Sequence, residues 1–210
     1  VKRIDETHSI DFLRLLELDV VEAAKRLLGA TLLADDLSSI IVETEAYRGE
    51  DDPACHAFRG VTNRTRIMFE SPGFAYVYFS YGCHWMLNVT AHPIGRAAAI
   101  LIRAAMPVSG LETMRARRGV GARPLSPRDL LSGPGKLAQA YAIDCAQNGQ
   151  FMFDTSRVLR IEPSCEARTY FSGPRVGIAK GKGDELPWRF IDAEFAAWAS
   201  RPKLKTSDQK

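Results

Sequence analysis

The segment Phe74–Thr90, FAYVYFSYGCHWMLNVT, decides how this chain is read. It carries six aromatic side chains, including three of the six tyrosines of the whole sequence. Phe74, Tyr76 and Tyr78 fall on one face and Ala75, Val77 and Phe79 on the other, the two-residue alternation of a strand. Tyr81-Gly82 then suits a tight turn, so Cys83–Thr90 is expected to return antiparallel. Tyr81 would stand at the tip of a protruding hairpin, where no core can receive its ring. An exposed apolar wedge of that kind marks a surface that meets a partner.

Working outward, AAAILIRAAMPV (97–108) is a continuous apolar run with one Arg103 in it, the pattern of a central strand. ATLLADD (30–36) and LSSIIVETEAY (37–47) read as a second hairpin turning near Asp35-Asp36. Asp19 can cap a helix over VVEAAKRLL that Gly29 stops. Ser109 and Gly119 bracket a helix over GLETMRARR, and SPRDLLSGPGKLAQAYAI (126–143) reads as two short helices. Further short strands are expected at RVLRIEP (157–163), GPRVGIA (173–179) and PWRFIDA (187–193). Strands dominate the middle and helices flank them. The expected fold is therefore α+β, a single mixed domain over 1–201 with a curved, largely antiparallel sheet. Residues 202–210 are expected to form a flexible tail.

The bulk composition limits the function classes. The chain has 210 residues, 46% hydrophobic and 25% charged, enough for a sizeable core. It has no apolar run of about eighteen residues, so no membrane span is expected. The opening VKRIDETHSIDFLRLL lacks the uninterrupted apolar stretch of a signal peptide, so cytoplasmic residence is the expectation. The net charge is only +3. Arginines outnumber lysines 20 to 8, and five fall between Arg115 and Arg128. Such a cluster is either a solvated helix face or a phosphate-binding surface. Cys55-His56 and Cys83-His84 suggest zinc, but adjacent side chains in extended chain point to opposite faces. The spacings are not those of zinc sites, and no metal is expected.

Two features carry chemistry. Glu43 and Glu45 sit two residues apart in an apolar strand and share a face, where two carboxylates raise each other's pKa unless a cation intervenes. Arg103, in a strand expected to be buried, needs a carboxylate or a ligand. The polar stretch RGEDDPACHAFRGVTNRTR (48–66) follows Tyr47 directly, and loops of that length in compact domains are often functional. GPGK (133–136) can open a helix whose N–H groups and Lys136 welcome a phosphate, and it is equally an ordinary helix start.

An enzyme acting on a base in duplex DNA needs a carboxylate, flat aromatic faces, an apolar wedge and a basic surface. The nucleotide must leave the stack, its base must lie against aromatic rings, and a side chain must hold the gap. A carboxylate beside the sugar can activate water, as in inverting glycoside hydrolysis. A damaged-DNA binding protein without catalysis and a hydrolase of free nucleosides remain alternatives, though the latter has no use for a wedge.

Four blocks carry a resemblance: IVETEAYRGEDDPACHAF, MFESPGFAYVYFSYGCHWMLNV, AILIRAAMPVSGLETMR and LLSGPGKLAQAYAI. In order and spacing they resemble the signature blocks of the alkyladenine (3-methyladenine) DNA glycosylase family, the vertebrate-type fold with bacterial members, over roughly Val21 to Ile178. The resemblance implies a monofunctional repair enzyme with no cofactor, a monomer that excises alkylated or deaminated purines from double-stranded DNA. It implies that Glu45 activates the water and that Arg103 positions nucleotide and water. Tyr47, His56 and Tyr78 would sandwich the flipped purine, Ala54 and the backbone around His56 would meet its edge, and Asn88 would crowd the 2-amino group of guanine. Tyr81 would fill the vacated space in the duplex, with Gly82, Cys83, His84, Arg64 and Lys136 facing DNA.

Overall fold

The apolar run around Arg103 forms the middle of an eight-stranded, wholly antiparallel sheet. The computed structural model describes residues 6–119, 124–202 and 204. Its strands are β1 (Thr31–Ala34), β2 (Leu37–Tyr47), β3 (Ala75–Ser80), β4 (His84–Ala91), β5 (Ala98–Ser109), β6 (Arg160–Glu162), β7 (Tyr170–Gly173) and β8 (Arg189–Asp192). The main order is β3-β4-β5-β2-β1-β6. One edge of β2 pairs with β5 along its length. The other edge pairs first with β1 and then, at Glu43–Glu45, with β8, which carries β7.

Alternation along β5 separates the two faces of the sheet. Ile100 and Ile102 join the main core, together with Val77, Leu87 and Val89 from β3 and β4. The same core takes in α1 (Glu6–Leu18), α2 (Val20–Arg26), α4 (Pro127–Leu130) and α5 (Pro134–Ala140) through Leu16, Ala23, Leu130 and Leu137. Each such leucine, isoleucine or valine side chain contributes about 1.5–3 kcal/mol by leaving water. Asp19 caps α2 as expected, accepting the Val21 N–H at 2.8 Å. Thr44 of β2 donates to the Ala24 carbonyl at 2.8 Å and ties that helix to the sheet. On the opposite face a smaller cluster holds Tyr76, Ala97 and Ala99 against Cys55, Ala57 and Met68 of the 48–69 loop. That loop is not structureless: it makes short 3-10 turns at Gly49–Asp51, His56–Arg59 and Arg66–Phe69. A Cβ on Gly49 would come within 2.1 Å of the Ala97 carbonyl oxygen, so only glycine lets the loop lie this close to the sheet.

Three details differ from the sequence expectation. Ser109 does not cap α3 (Leu111–Arg118). It ends β5, donating to the Asp36 carbonyl at 2.8 Å, and Gly110 occupies the cap position. GPRVGIA is not a strand: β7 ends at Gly173, and Pro174 together with Gly177 (φ 78°) turns the chain into a loop. The arginine cluster is partly structural. Arg115 is bound to Glu112 and the Leu125 carbonyl, Arg117 to the Ala140 carbonyl and Arg118 to Gln139. Of the expected tail, residues 203 and 205–210 lie outside the described residues, while Leu204 packs on Gly173. Among the described residues, no helix is long and apolar enough to cross a membrane, and no group of three or more His, Cys, Asp or Glu is placed to hold a metal ion.

Candidate active site

The expected pair of carboxylates converges on one arginine. Glu43, Glu45 and Tyr47 of β2 turn away from the helices, as does Arg103 of β5, despite a register shift around Glu43. Arg103 donates through Nε to Glu43 at 2.8 Å and through Nη1 to Glu45 at 3.2 Å, and all three are buried. The two acids then diverge. Glu43 also accepts from Arg189 Nε at 2.7 Å and from the Ser200 hydroxyl and N–H at 2.9 and 2.6 Å. Burial opposes its charge, but Arg103 and Arg189 outweigh burial and hold its carboxyl below the usual 4.5. Among the described residues, Glu45 accepts only the Arg103 N–H, the Val176 N–H at 2.7 Å and the Tyr47 hydroxyl at 2.9 Å. Burial prevails over these partners and raises its pKa. Environments that push two carboxylates apart separate their roles. Arg103, Arg189 and Ser200 hold Glu43 as a structural anion, whereas burial favours the neutral form of Glu45.

A cavity of about 550 Å³ opens beside Glu45. Tyr47, Ala54, His56, Arg64, Tyr78, Tyr81, Asn88 and Arg103 all line it, so the structure brings most of the sequence candidates together. Glu45 itself lies just behind the wall, covered by three of the residues that line it: Tyr47, Arg103 and Val176. Ala54 donates its N–H to Asp52 at 3.1 Å, and Asn88 commits its amide nitrogen to the Tyr76 carbonyl at 3.0 Å.

The rings are not arranged as three parallel layers. His56 and Tyr78 meet edge to face, with centroids 4.6 Å apart at 81°, so no base fits between them. They form one corner of the cavity, which Tyr47 also lines. Tyr76, on the same strand face as Tyr78, completes the corner: its hydroxyl lies 2.9 Å from His56 Nδ1 and accepts from Arg64 Nε at 3.2 Å. The His56 ring remains exposed on one side. Desolvation of its inner edge, and then the Arg64 charge, push its pKa down to about 4. Near neutral pH it is an uncharged imidazole that accepts hydrogen bonds.

Sequence reasoning missed the support behind Tyr47. Arg175 is fully buried and forms a bidentate pair with Asp52, at 2.5 and 2.8 Å, and donates to the Ala46 carbonyl at 2.9 Å. Its guanidinium carbon lies 4.7 Å from the Tyr47 ring centre and 5.2 Å from that of Trp188. It thus fixes Tyr47 from behind and anchors the loop whose next residue, Val176, reaches Glu45. No local pattern in the sequence announces a pair 123 residues apart.

The hairpin forms as expected. Tyr81 and Gly82 have φ of 51° and 68°, the backbone of a tight type I′ turn, and Tyr81 is 92% exposed. Gly82, Cys83 and His84 are exposed at the tip and do not line the cavity. His84 packs on the start of α5, where a Cβ on Gly135 would come within 2.7 Å of its ring. Lys136 is half-buried and donates to the Ser132 hydroxyl at 3.1 Å, outside the cavity.

The family model described as methylpurine-DNA glycosylase matches residues 14–195. The chain belongs to the methylpurine-DNA glycosylase family. Relatives of this glycosylase share most of its length. A protein of Rhodopseudomonas palustris (strain ATCC BAA-98 / CGA009) named "Putative 3-methyladenine DNA glycosylase" is 48% identical over 171 residues, 81% of this chain and 79% of that protein. Proteins of the same name from Chlorobaculum parvum and Rhodococcus jostii are 44% and 37% identical, over 82% and 98% of this chain and 83% and 93% of their own.

Proposed function

We propose that this member of the family is a monofunctional glycosylase that turns an alkylated or deaminated purine out of duplex DNA and hydrolyses its N-glycosidic bond with water activated by Glu45. The observation that carries this reading is a carboxylate with raised pKa set directly behind an aromatic cavity, beside a hairpin that exposes a phenol ring. A protein that only bound damaged DNA would have no use for a buried acid adapted to take up a proton.

In the reaction, Tyr81 enters the space the nucleotide leaves. The purine packs against Tyr47 on one side and the His56–Tyr78 corner on the other, where base–aromatic stacking offers about 1–3 kcal/mol. That is comparable with the few kcal/mol lost on unstacking and unpairing, so weakly paired damaged bases enter more readily than normal ones. Ala54 and the His56 backbone meet the base edge, and Asn88 disfavours guanine. Arg103 holds the nucleotide and the water beside Glu45. The C1′–N9 bond breaks with its electron pair going to the base. Water forms the new C1′–O bond, and Glu45 takes the proton. Gly82, Cys83, His84 and Lys136 present their polar groups to the DNA backbone.

The test is single-turnover reaction of the protein with duplexes carrying one alkylated, deaminated or etheno-bridged purine each. Release of the free base from at least one duplex, with the strand intact until alkali is added, is expected. Release of no base, or strand cleavage without alkali, would contradict the reading.

A further inference from the structure

Among the described residues, Arg103 and Arg175 at the base cavity each face an acid, and Arg64 does not. Arg103 is balanced by Glu43 and Glu45, and Arg175 by Asp52. Among the described residues, Arg64 has only neutral partners. Its guanidinium carbon lies 4.6 Å from the centre of the Tyr78 ring, its Nε donates to the Tyr76 hydroxyl at 3.2 Å, and its Nη2 lies 3.3 and 3.2 Å from His56 Nδ1 and Nε2. Arg64 therefore rests on the corner that is to receive the base, with its N–H groups turned to aromatic acceptors.

We infer that Arg64 is a specificity-determining residue that contacts the base. Its fixed positive charge favours neutral, acceptor-bearing purines such as hypoxanthine over purines already cationic through alkylation, and it takes up the negative charge that builds on the departing base. This rests on the function proposed above and assigns the substrate class of the same site.

The charge balance of bond cleavage explains the preference. A cationic 7-methylguanine leaves as a neutral base and needs no stabilising charge, and a nearby guanidinium repels it while it is bound. Neutral hypoxanthine leaves with the C1′–N9 electron pair as an anion, to be protonated later by solvent water. Within the cavity, His56 is an uncharged acceptor and burial keeps the Tyr47 and Tyr78 phenols protonated, so none of these three is poised to hand the base a proton. A preorganised cation stabilises such an anion, and it acts strongly where water is partly excluded. The N–H groups now on His56 and Tyr76 are free to exchange those acceptors for purine N3, N7 or O6.

Two variants separate charge from hydrogen bonding. Arg64→Gln keeps amide donors and loses the charge; Arg64→Lys keeps the charge. Single-turnover excision is measured on duplexes with hypoxanthine and with 7-methylguanine. Removing a preorganised donor costs about 10²–10³ in rate where it is fully enclosed, so for this half-open site a loss of about tenfold is expected. Arg64→Gln should lose about that much on hypoxanthine and stay within about twofold on 7-methylguanine, and Arg64→Lys should retain most of the hypoxanthine rate. Equal losses on both lesions, no loss on either, or a Lys variant as impaired as Gln would each overturn the inference. Wild type that excised neither lesion would instead overturn the proposed function, and this inference with it.

Discussion

Tyr47 and Glu45 lie two residues apart on one face of β2, and the Tyr47 hydroxyl donates to Glu45 Oε2 over 2.9 Å. The same side chain thus offers its ring to the cavity and its hydroxyl to the acid behind it. Because that hydrogen bond favours the ionised carboxylate, it lowers a pKa that burial raises. Tyr47→Phe should keep the ring and lift the Glu45 pKa further. Hydrogen bonds to charged groups are worth about 1.5–3 kcal/mol, which corresponds to roughly one to two pKa units. The acid limb of the pH profile for excision, where activity falls as Glu45 is protonated, should move to higher pH by up to that amount. A limb that stays in place or moves to lower pH would show that this limb does not report Glu45.

Glu43 is expected to act on stability. Two guanidiniums and Ser200 converge on it, and Glu43→Gln leaves buried positive charge without compensation. Breaking a buried pair from one side costs about 3–5 kcal/mol, measurable by urea unfolding. The sign with pH follows from its lowered folded pKa. Its stabilisation is fully present above the unfolded value of about 4.5 and is lost as pH falls through the lower folded value. The gap between wild type and Glu43→Gln should therefore close on acidification. A gap that is constant from neutral to acid pH would contradict the assignment.

Tyr81 is expected to act on DNA alone. Its ring is 92% exposed and its backbone is left-handed, a conformation that costs a non-glycine residue about 1–2 kcal/mol. Tyr81→Gly removes the wedge and relieves that strain, at the expense of a more flexible unfolded chain. Stability should stay within about 1 kcal/mol of wild type, while excision from duplex falls far more than excision from single strands. Equal losses on both substrates would deny the wedge its role.

Arg175 is expected to act through its neighbours. Arg175→Lys keeps a charge for Asp52 but gives up the bidentate geometry and the contact with Tyr47 and Trp188. With Tyr47 and the Val176 N–H both less well held against Glu45, the single-turnover rate should fall while affinity for an abasic duplex is retained. A change in stability with the rate constant untouched would reduce Arg175 to a packing role.

Much of this was legible in the chain itself. The alternation of Phe74–Phe79 gave the strand, Tyr81-Gly82 the turn, and the lone Arg103 in an apolar run the demand for a carboxylate that Glu43 and Glu45 meet. What stayed hidden depends on distance in sequence. The Asp52–Arg175 pair joins a polar loop to a segment that its apolar content made look like a strand, and Pro174 and Gly177 override that content. The different tasks of Glu43 and Glu45 were equally invisible, because they arise from Arg189, Ser200 and Val176, all more than 100 residues away. Ser109 offered a cap by residue type, but pairing of β5 with β2 carried the strand through that position.

The central claim is that one acid cuts and the rest of the cavity binds. Its most direct measurement is single-turnover excision by Glu45→Gln beside its affinity for the same lesion duplex. The amide keeps the shape of the side chain and cannot take a proton from water. Excision should be abolished, with lesion affinity within a few-fold of wild type. Base release at the wild-type rate would contradict the claim, and so would a parallel loss of binding and cutting.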